Sequence, residues 1–218
     1  MNKLDLVVAD EIIPPVEDLL EQFFETGKIL IKSSSNGIID AIEALRLKRH
    51  EQNFKKLLAY IDDAQKLKDF ISRSNKKQKE FLVQVLIKTA NLENDIQIFI
   101  MSRIMQNLKN NGEPSYYESS LFTNINSLTL EDFEVFYEIW LHKTTNEKGY
   151  YYFQTPVEKE FYVDIQNKLF SIGIIEKPVS TNNFSTGEKP ERKMCTFGGT
   201  GFSEYLFQIL KEYFEANK

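Results

Sequence analysis

The fold is decided by residues 127–201, in which residues 129–141 read TLEDFEVFYEIWL and residues 155–173 read TPVEKEFYVDIQNKLFSIG. Each segment begins with a threonine, has an acidic residue three positions later and continues with apolar residues at helical spacing. This pattern is typical of an amphipathic helix with a capping box at its start. Pro156 suits the first helical position, and the acids suit the positive end of the helix. Between the two segments, residues 150–153 are all aromatic, which indicates a strand.

The same stretch continues with further strand signals. Gly173 ends the second helix, Ile174 and Ile175 begin a short strand, residues 180–191 form a polar loop, and residues 194–197 (MCTF) resemble a strand before a last helix. The order helix, strand, helix, strand, loop, strand predicts a winged-helix-like α+β module with a small β-sheet. A fold of this kind does not by itself define a function.

Upstream, helical periodicity dominates. Apolar residues recur at helical spacing behind Pro14 and Pro15 and within residues 38–61, 64–72, 80–90 and 93–108. The fold class is therefore expected to be mainly α, with an N-terminal helical bundle followed by the winged-helix-like module. The polar run RSNKK at residues 73–77 is the best linker candidate. We expect a helical region at 1–75 and a second domain at 76–218, made of a helical pair and the module.

The net charge of −5 conceals an uneven distribution of charge along the chain. Residues 46–79 hold 11 basic and 4 acidic side chains, whereas the flanking segments 1–45 and 80–218 each have a net charge of −6. A helix would place Lys48, Arg49, Lys55 and Lys56 opposite its apolar stripe. Together with a neighbouring arginine they form a candidate site for an anionic partner: Arg46, Lys48, Arg49, Lys55 and Lys56. Two interpretations stay open, because these residues either bind a polyanion or dock on acidic neighbours and face water.

Motifs for chemistry are scarce in this sequence. His50, His142 and the single Cys195 lie far apart, and no metal-binding spacing occurs, so we expect no metal site. No nucleophile elbow or catalytic constellation is found, which predicts a protein that is not an enzyme and needs no cofactor. The segment FGGTGF at 197–202 is a candidate phosphate loop, although Thr200 as a helix cap explains it better.

Cellular location is predicted from cysteine content and hydropathy. With one cysteine the chain forms no intrachain disulfide, which suits a reducing compartment. No signal peptide and no apolar run long enough to span a bilayer are found, so we expect a cytoplasmic protein.

Charge argues against DNA binding by the module itself. The helix in the reading position, residues 157–172, carries Glu158, Glu160 and Asp164 against Lys159 and Lys168. Phosphates would repel such a helix. We therefore expect the module to contact proteins or to serve as a scaffold, and any nucleic acid to bind the 46–79 segment instead.

Three short phrases carry a resemblance to a known family. They are LTLED at 128–132, GII at 173–175 and TFG at 196–198, set behind a long helix at 93–108. The arrangement resembles bacterial abortive-infection proteins of the alpha type, which are associated with phage defence, over about residues 40–212. The resemblance implies a host-defence or regulatory role and supplies no catalytic residues.

These observations give one leading functional hypothesis and two alternatives. The leading hypothesis is a non-enzymatic phage-defence or regulatory protein that acts through protein–protein contacts, with phage proteins among its candidate partners. The first alternative is a nucleic-acid-binding regulator that uses the basic segment 46–79. The second is peripheral membrane association through residues 29–61.

Overall fold

The computed structural model describes residues 38–61, 64–145, 151–156, 161–176 and 192–217. The described chain is mainly helical, with a small antiparallel sheet near its C-terminal end. It divides into two compact units, Met1–Glu113 (unit 1) and Pro114–Lys218 (unit 2). The helix expected behind Pro14 and the polar loop at 180–191 lie outside the described residues.

Unit 1 consists of four described helices: α1 (Ile38–Ala59), α2 (Ala64–Arg73), α3 (Lys76–Ala90) and α4 (Asp95–Asn111). Helix α4 is the central element, since it packs against each of the other three. Every residue from Ile96 to Ser102 is buried, so this part of α4 is enclosed all round, as its apolar sequence predicts.

The division between the units differs from the boundary expected between residues 75 and 76. Helices α3 and α4 pack against α1, so the helical pair belongs with unit 1. The run at 73–77, expected to be a linker, contains the start of α3 at Lys76. Asn75 caps this start: its side chain accepts a hydrogen bond from the Gln78 amide, and the Asn75 amide donates to Gln78 Oε1 at 2.8 Å. Helix α4 ends at Gly112, whose φ of 80° lies in the left-handed region.

Unit 2 begins with α5 (Tyr116–Asn124), a short 3₁₀ helix (Ile125–Ser127) and α6 (Leu130–Leu141). The strands β1 (Thr144–Thr145) and β2 (Tyr151–Pro156) follow, and then α7 (Phe161–Ile172). The chain continues with β3 (Ile175–Glu176), β4 (Arg192–Gly199) and α8 (Gly201–Ala216). Phe133, Phe136 and Trp140 of α6 are buried, and α6 packs on both α7 and α8.

The sheet of unit 2 has the strand order β1-β2-β4-β3, and all of its pairings are antiparallel. The longest ladder joins β2 to β4, with Tyr151 opposite Phe197 and Pro156 opposite Arg192. On the other edge of β4, Ile175 lies opposite Gly199. The strand expected at residues 194–197 is therefore present and is longer at both ends.

The expected start of the second helix is wrong. Thr155 and Pro156 were expected as cap and first helical residue, but both belong to β2 and lie opposite Lys193 and Arg192 of β4. Pairing along a six-residue ladder outweighs the local capping preference, and a proline is tolerated as the last residue of a strand. The described helix α7 begins only at Phe161, and residues 157–160 are not among those described.

None of the helices in the described ranges combines the length and the apolar composition that a bilayer crossing requires.

Candidate functional site

The five cations predicted to bind an anionic partner all lie on α1 and are all exposed: Arg46, Lys48, Arg49, Lys55 and Lys56. The opposite side of α1 is buried and includes Phe54 and Leu57. The helix is amphipathic, as predicted, and presents its charge outward.

Two of these cations link α1 to the segment that joins α3 and α4. The Lys56 Nζ lies 2.6 Å from the Asp95 Oδ1 at the start of α4, and an Arg49 Nη2 lies 3.6 Å from a Glu93 carboxylate oxygen. The same Arg49 Nη2 donates to the Leu92 carbonyl oxygen at 2.9 Å. Part of the predicted surface is thus occupied in holding helices together.

The remaining three predicted cations differ from one another. Lys55 pairs with Glu51 one turn earlier on α1, with 2.8 Å between the charged atoms. Within the described residues, Arg46 and Lys48 form no ion pair. Among the described side chains, three of the five predicted cations are therefore paired with carboxylates and two are not.

Below this face, Asn53 closes the end of α3. Its Nδ2 donates to the carbonyl oxygens of Thr89, Ala90 and Leu92 at 3.0–3.1 Å, and Asn53 is buried. The last carbonyls of a helix have no partner within the helix, and burying them unbonded is costly. A side chain on a neighbouring helix supplies the missing donors, which no local sequence signal reveals.

His50 is buried beside these contacts, with 8% of its surface exposed. Burial lowers the pKa of its imidazole, the positive charges of Arg46 and Arg49 lower it further, and a hydrogen bond with Asn91 opposes the shift. Among the residues whose positions are described, no three histidine, cysteine, aspartate or glutamate side chains form a group that could hold a metal ion.

A second group of cations lies where α2 ends and α3 begins. Lys68, Arg73, Lys76 and Lys77 are all exposed. They belong to the basic segment 46–79, but none of them was among the residues predicted to bind a partner. The available signal was the first turn of α3, which has two lysines and no acidic residue.

Unit 2 contains two buried carboxylates that close helix starts. Asp132 accepts from the Thr129 amide at 2.7 Å and is also ion-paired with Lys168 of α7. Glu118 accepts from the Ser115 amide at 2.6 Å and from the Tyr205 hydroxyl of α8 at 3.1 Å. Each carboxylate therefore caps one helix and joins it to another.

The glycine-rich segment at 197–202 is a helix start rather than a phosphate loop. The Thr200 hydroxyl accepts from the Ser203 amide at 3.0 Å and thus caps α8. Left-handed glycines within the described chain are confined to Gly112 and Gly173, so this loop lacks the backbone curvature of an anion nest. A Cβ at Gly201 would overlap the hydroxyl of Tyr117, and this close approach explains the glycine.

Lys143 closes the other end of α6. Its Nζ lies 4.1 Å from the centre of the Trp140 ring and donates to the Trp140 carbonyl oxygen at 3.3 Å. Burial lowers the pKa of Lys143, and the nearby Glu204 carboxylate opposes that shift. Because the Trp140 indole also donates to Glu204, at 3.3 Å, the group joins α6 to α8.

The part of the unit 2 surface whose side chains are described is acidic. Its exposed carboxylates come from three helices and one strand: Glu131, Glu134, Asp164, Glu176, Glu204, Glu212 and Glu215. Among the side chains described in unit 2, Lys211 is the one exposed cation, and it lies 3.9 Å from a Glu215 oxygen. On the part of α7 whose side chains are described, 164–172, the exposed residues are Asp164, Asn167 and Ser171.

Comparison with known proteins gives no match: no family model, no curated protein and no solved structure is significantly similar to this chain.

Proposed function

We propose that this protein is a non-enzymatic cytoplasmic factor that acts through protein–protein contacts in phage defence or a related regulatory role. The resemblance of its sequence to abortive-infection proteins motivates the biological setting. The acidic surface of unit 2 carries the proposal of a protein partner, because a surface with this charge repels nucleic acids and anionic membranes and complements a basic protein.

The strand order of unit 2 supports a winged-helix-like module. Strand β4 lies between β2 and β3, α6 precedes the sheet, and α7 connects β2 to β3. In such a module α7 stands in the reading position. Its exposed Asp164, Asn167 and Ser171 offer hydrogen-bonding groups without a cation, which favours a protein surface over a phosphate backbone.

The test is phage plating on a bacterial host that expresses the protein, combined with capture of partners by the full chain. We expect expression to lower plating, and we expect Glu134→Gln with Asp164→Asn to abolish both that effect and a specific captured protein. Glu212→Gln with Glu215→Gln removes the same charge from the end of α8 and serves as the control. Unchanged plating on expression of the wild-type chain, with no partner captured, would refute the proposal.

A second candidate function is binding of nucleic acid through the basic segment 46–79. It is favoured by the exposed cations of unit 1, five of which were predicted from sequence. Such binding weakens steeply as salt rises, since it depends on counterion release. An absence of binding at 50 mM salt would exclude it.

A further inference from the structure

The cations at the end of α2 and the start of α3 form a surface with fewer ion pairs than those on α1. Lys68 and Arg73 lie on α2, and Lys76 and Lys77 occupy the first two positions of α3. Within the described chain, no ion pair involves Lys68, Arg73 or Lys77. Lys76 lies 3.8 Å from a Glu80 oxygen, but its side chain is 90% exposed. We call these four residues the junction surface.

The junction surface and α1 differ in how many of their cations are free of an ion pair and can contact a phosphate. On α1, Arg49, Lys55 and Lys56 already contact carboxylates, so a phosphate would have to displace Glu93, Glu51 and Asp95. Arg46 and Lys48 have no ion pair among the described residues, whereas the junction has three such cations within ten residues. Cations of the junction surface exchange only water and counterions for a phosphate, and release of counterions drives such binding. The junction surface is therefore the better anion-binding face of unit 1.

The backbone below the junction surface is held in place. The capping pair Asn75 and Gln78 fixes the start of α3, and the Gln78 Nε2 donates to the Gly112 carbonyl oxygen at the end of α4, at 2.6 Å. This bond brings Lys109, in the last turn of α4, to the same end of the helix pair. Asp69, Glu80 and Glu113 are the carboxylates nearest in sequence, so the four junction cations and Lys109 outnumber the acids here by five to three.

The side chains between these cations indicate the kind of polyanion. Ser72 and Asn75 are exposed and polar, whereas the exposed large apolar residues described in unit 1 are Leu47 and Ile87, which lie outside the junction. A membrane surface would favour apolar residues that insert, and a single strand would favour aromatic residues on which bases stack. A surface of cations and short polar groups suits the phosphates of a duplex.

We propose that the junction surface binds the phosphate backbone of double-stranded nucleic acid without sequence preference, and that α1 contributes less. This inference rests on the nucleic-acid function given above as the second candidate, and it assigns that function to different residues. Three contacts, from Arg73, Lys76 and Lys77, correspond to a salt slope of roughly −3 on logarithmic axes. Affinity should then fall about 40-fold between 50 and 200 mM salt.

The experiment measures fluorescence anisotropy of a labelled 24-base-pair DNA of arbitrary sequence against the full chain. It compares two triple variants that remove the same charge: Arg73→Gln, Lys76→Gln, Lys77→Gln at the junction, and Arg49→Gln, Lys55→Gln, Lys56→Gln on α1. At 50 mM salt we expect the junction variant to bind at least tenfold more weakly than wild type. The α1 variant should stay within about threefold, and circular dichroism melting confirms that both remain folded.

Three results would overturn the inference, and they separate it from the function on which it rests. A loss confined to the α1 variant would move the site to the residues predicted from sequence and leave nucleic-acid binding intact. No duplex binding by wild type at 50 mM salt would remove both. Binding to vesicles with 30% anionic lipid that the junction variant loses, without duplex binding, would identify a membrane surface instead.

Discussion

The buried side chains that join a helix end to a second helix act in opposite ways in the two units. In unit 1, side chains from other helices donate to carbonyl oxygens at C-terminal ends. Asn53 does so for α3, and both Arg103 and Gln106 of α4 donate to the Tyr60 carbonyl oxygen just beyond α1, at 3.5 and 3.3 Å. The donors in these contacts of unit 1 are therefore two neutral amides and one positively charged guanidinium.

In unit 2, carboxylates accept from amide groups at N-terminal ends. Glu118 and Asp132 are almost completely buried, and each also bonds to a side chain of a second helix. Carboxylates are favourable at N-termini and cations at C-termini, because the helix dipole is positive at its start and negative at its end. These side chains close C-terminal helix ends in unit 1 and N-terminal helix ends in unit 2. Part of the difference in charge between the units follows from this.

The largest effect is expected at Asp132, where the two roles of the carboxylate can be separated. Asp132→Ala removes the acceptor for the Thr129 amide, although Thr129 still caps α6, and it leaves the half-buried Lys168 without its carboxylate. The two losses should cost about 3 kcal/mol of unfolding free energy. Asp132→Asn keeps a capping oxygen and should cost roughly half as much. Urea unfolding measures both values, and hydrogen exchange in α6 and α7 locates the change.

Glu134→Ala, at an exposed position of the same helix, is the control and should change stability by less than about 0.5 kcal/mol. Equal costs at Asp132 and Glu134 would show that the buried carboxylate does not hold α6 and α7 together.

Asn53 provides the corresponding test in unit 1. Asn53→Ala removes a donor from three carbonyl oxygens and should cost about 2 kcal/mol, chiefly through Ala90, since the Leu92 amide still donates to Thr89 and Arg49 still donates to Leu92. Asn53→Asp should cost more than the alanine variant, since a carboxylate cannot donate and is repelled by the negative end of α3. Urea unfolding compares both with Gln52→Ala, an exposed neighbour on α1. An Asp variant as stable as wild type would contradict the contrast drawn between the units.

Gln166 of α7 is the exception to this pattern of satisfied polar groups. It is buried, and its Nε2 has no hydrogen-bond partner among the residues that the structure describes. Gln166→Leu has a similar volume and removes an unsatisfied donor, so it should raise the unfolding free energy by about 1 kcal/mol. Thermal and urea unfolding compare it with Asn167→Leu at the exposed neighbouring position. Destabilisation by Gln166→Leu would mean that the amide has a necessary partner.

Capping boxes could be predicted from sequence, whereas the contact by which Asn53 closes α3 could not. Thr129 and Asp132 lie three residues apart, as do Thr200 and Ser203, so local spacing reveals them. Asn53 reaches carbonyls 36 to 39 residues away, a relation that becomes visible only when α1 packs on α3. Local spacing also gives a wrong prediction at Thr155, because a capping pattern spans only a few residues and Lys193, its partner in β4, is far along the chain.

The candidate site shows the same limit. Sequence periodicity placed Arg49, Lys55 and Lys56 correctly on the exposed side of α1. It could not show that Lys56 pairs with Asp95, 39 residues away. The local sequence pattern indicates whether a cation is exposed, but its tertiary neighbours decide whether it already has an ion pair. For this reason the proposed nucleic-acid surface lies on α2 and α3 rather than on α1.

The smallest expected effect is a pH dependence that arises from His50. Burial and the neighbouring arginines lower the pKa of His50 in the folded state, so the unfolded chain binds a proton more readily as pH falls through the ordinary value of 6.5. Its contribution to stability is therefore full above that value, declines as pH falls below it, and levels off below the folded pKa. Urea unfolding between pH 8 and pH 5.5 should show wild type losing stability relative to His50→Gln, whereas His142→Gln, at an exposed position of unit 2, should follow wild type. A difference between wild type and His50→Gln that does not change with pH would show that the imidazole takes up its proton equally well in the folded and unfolded chains.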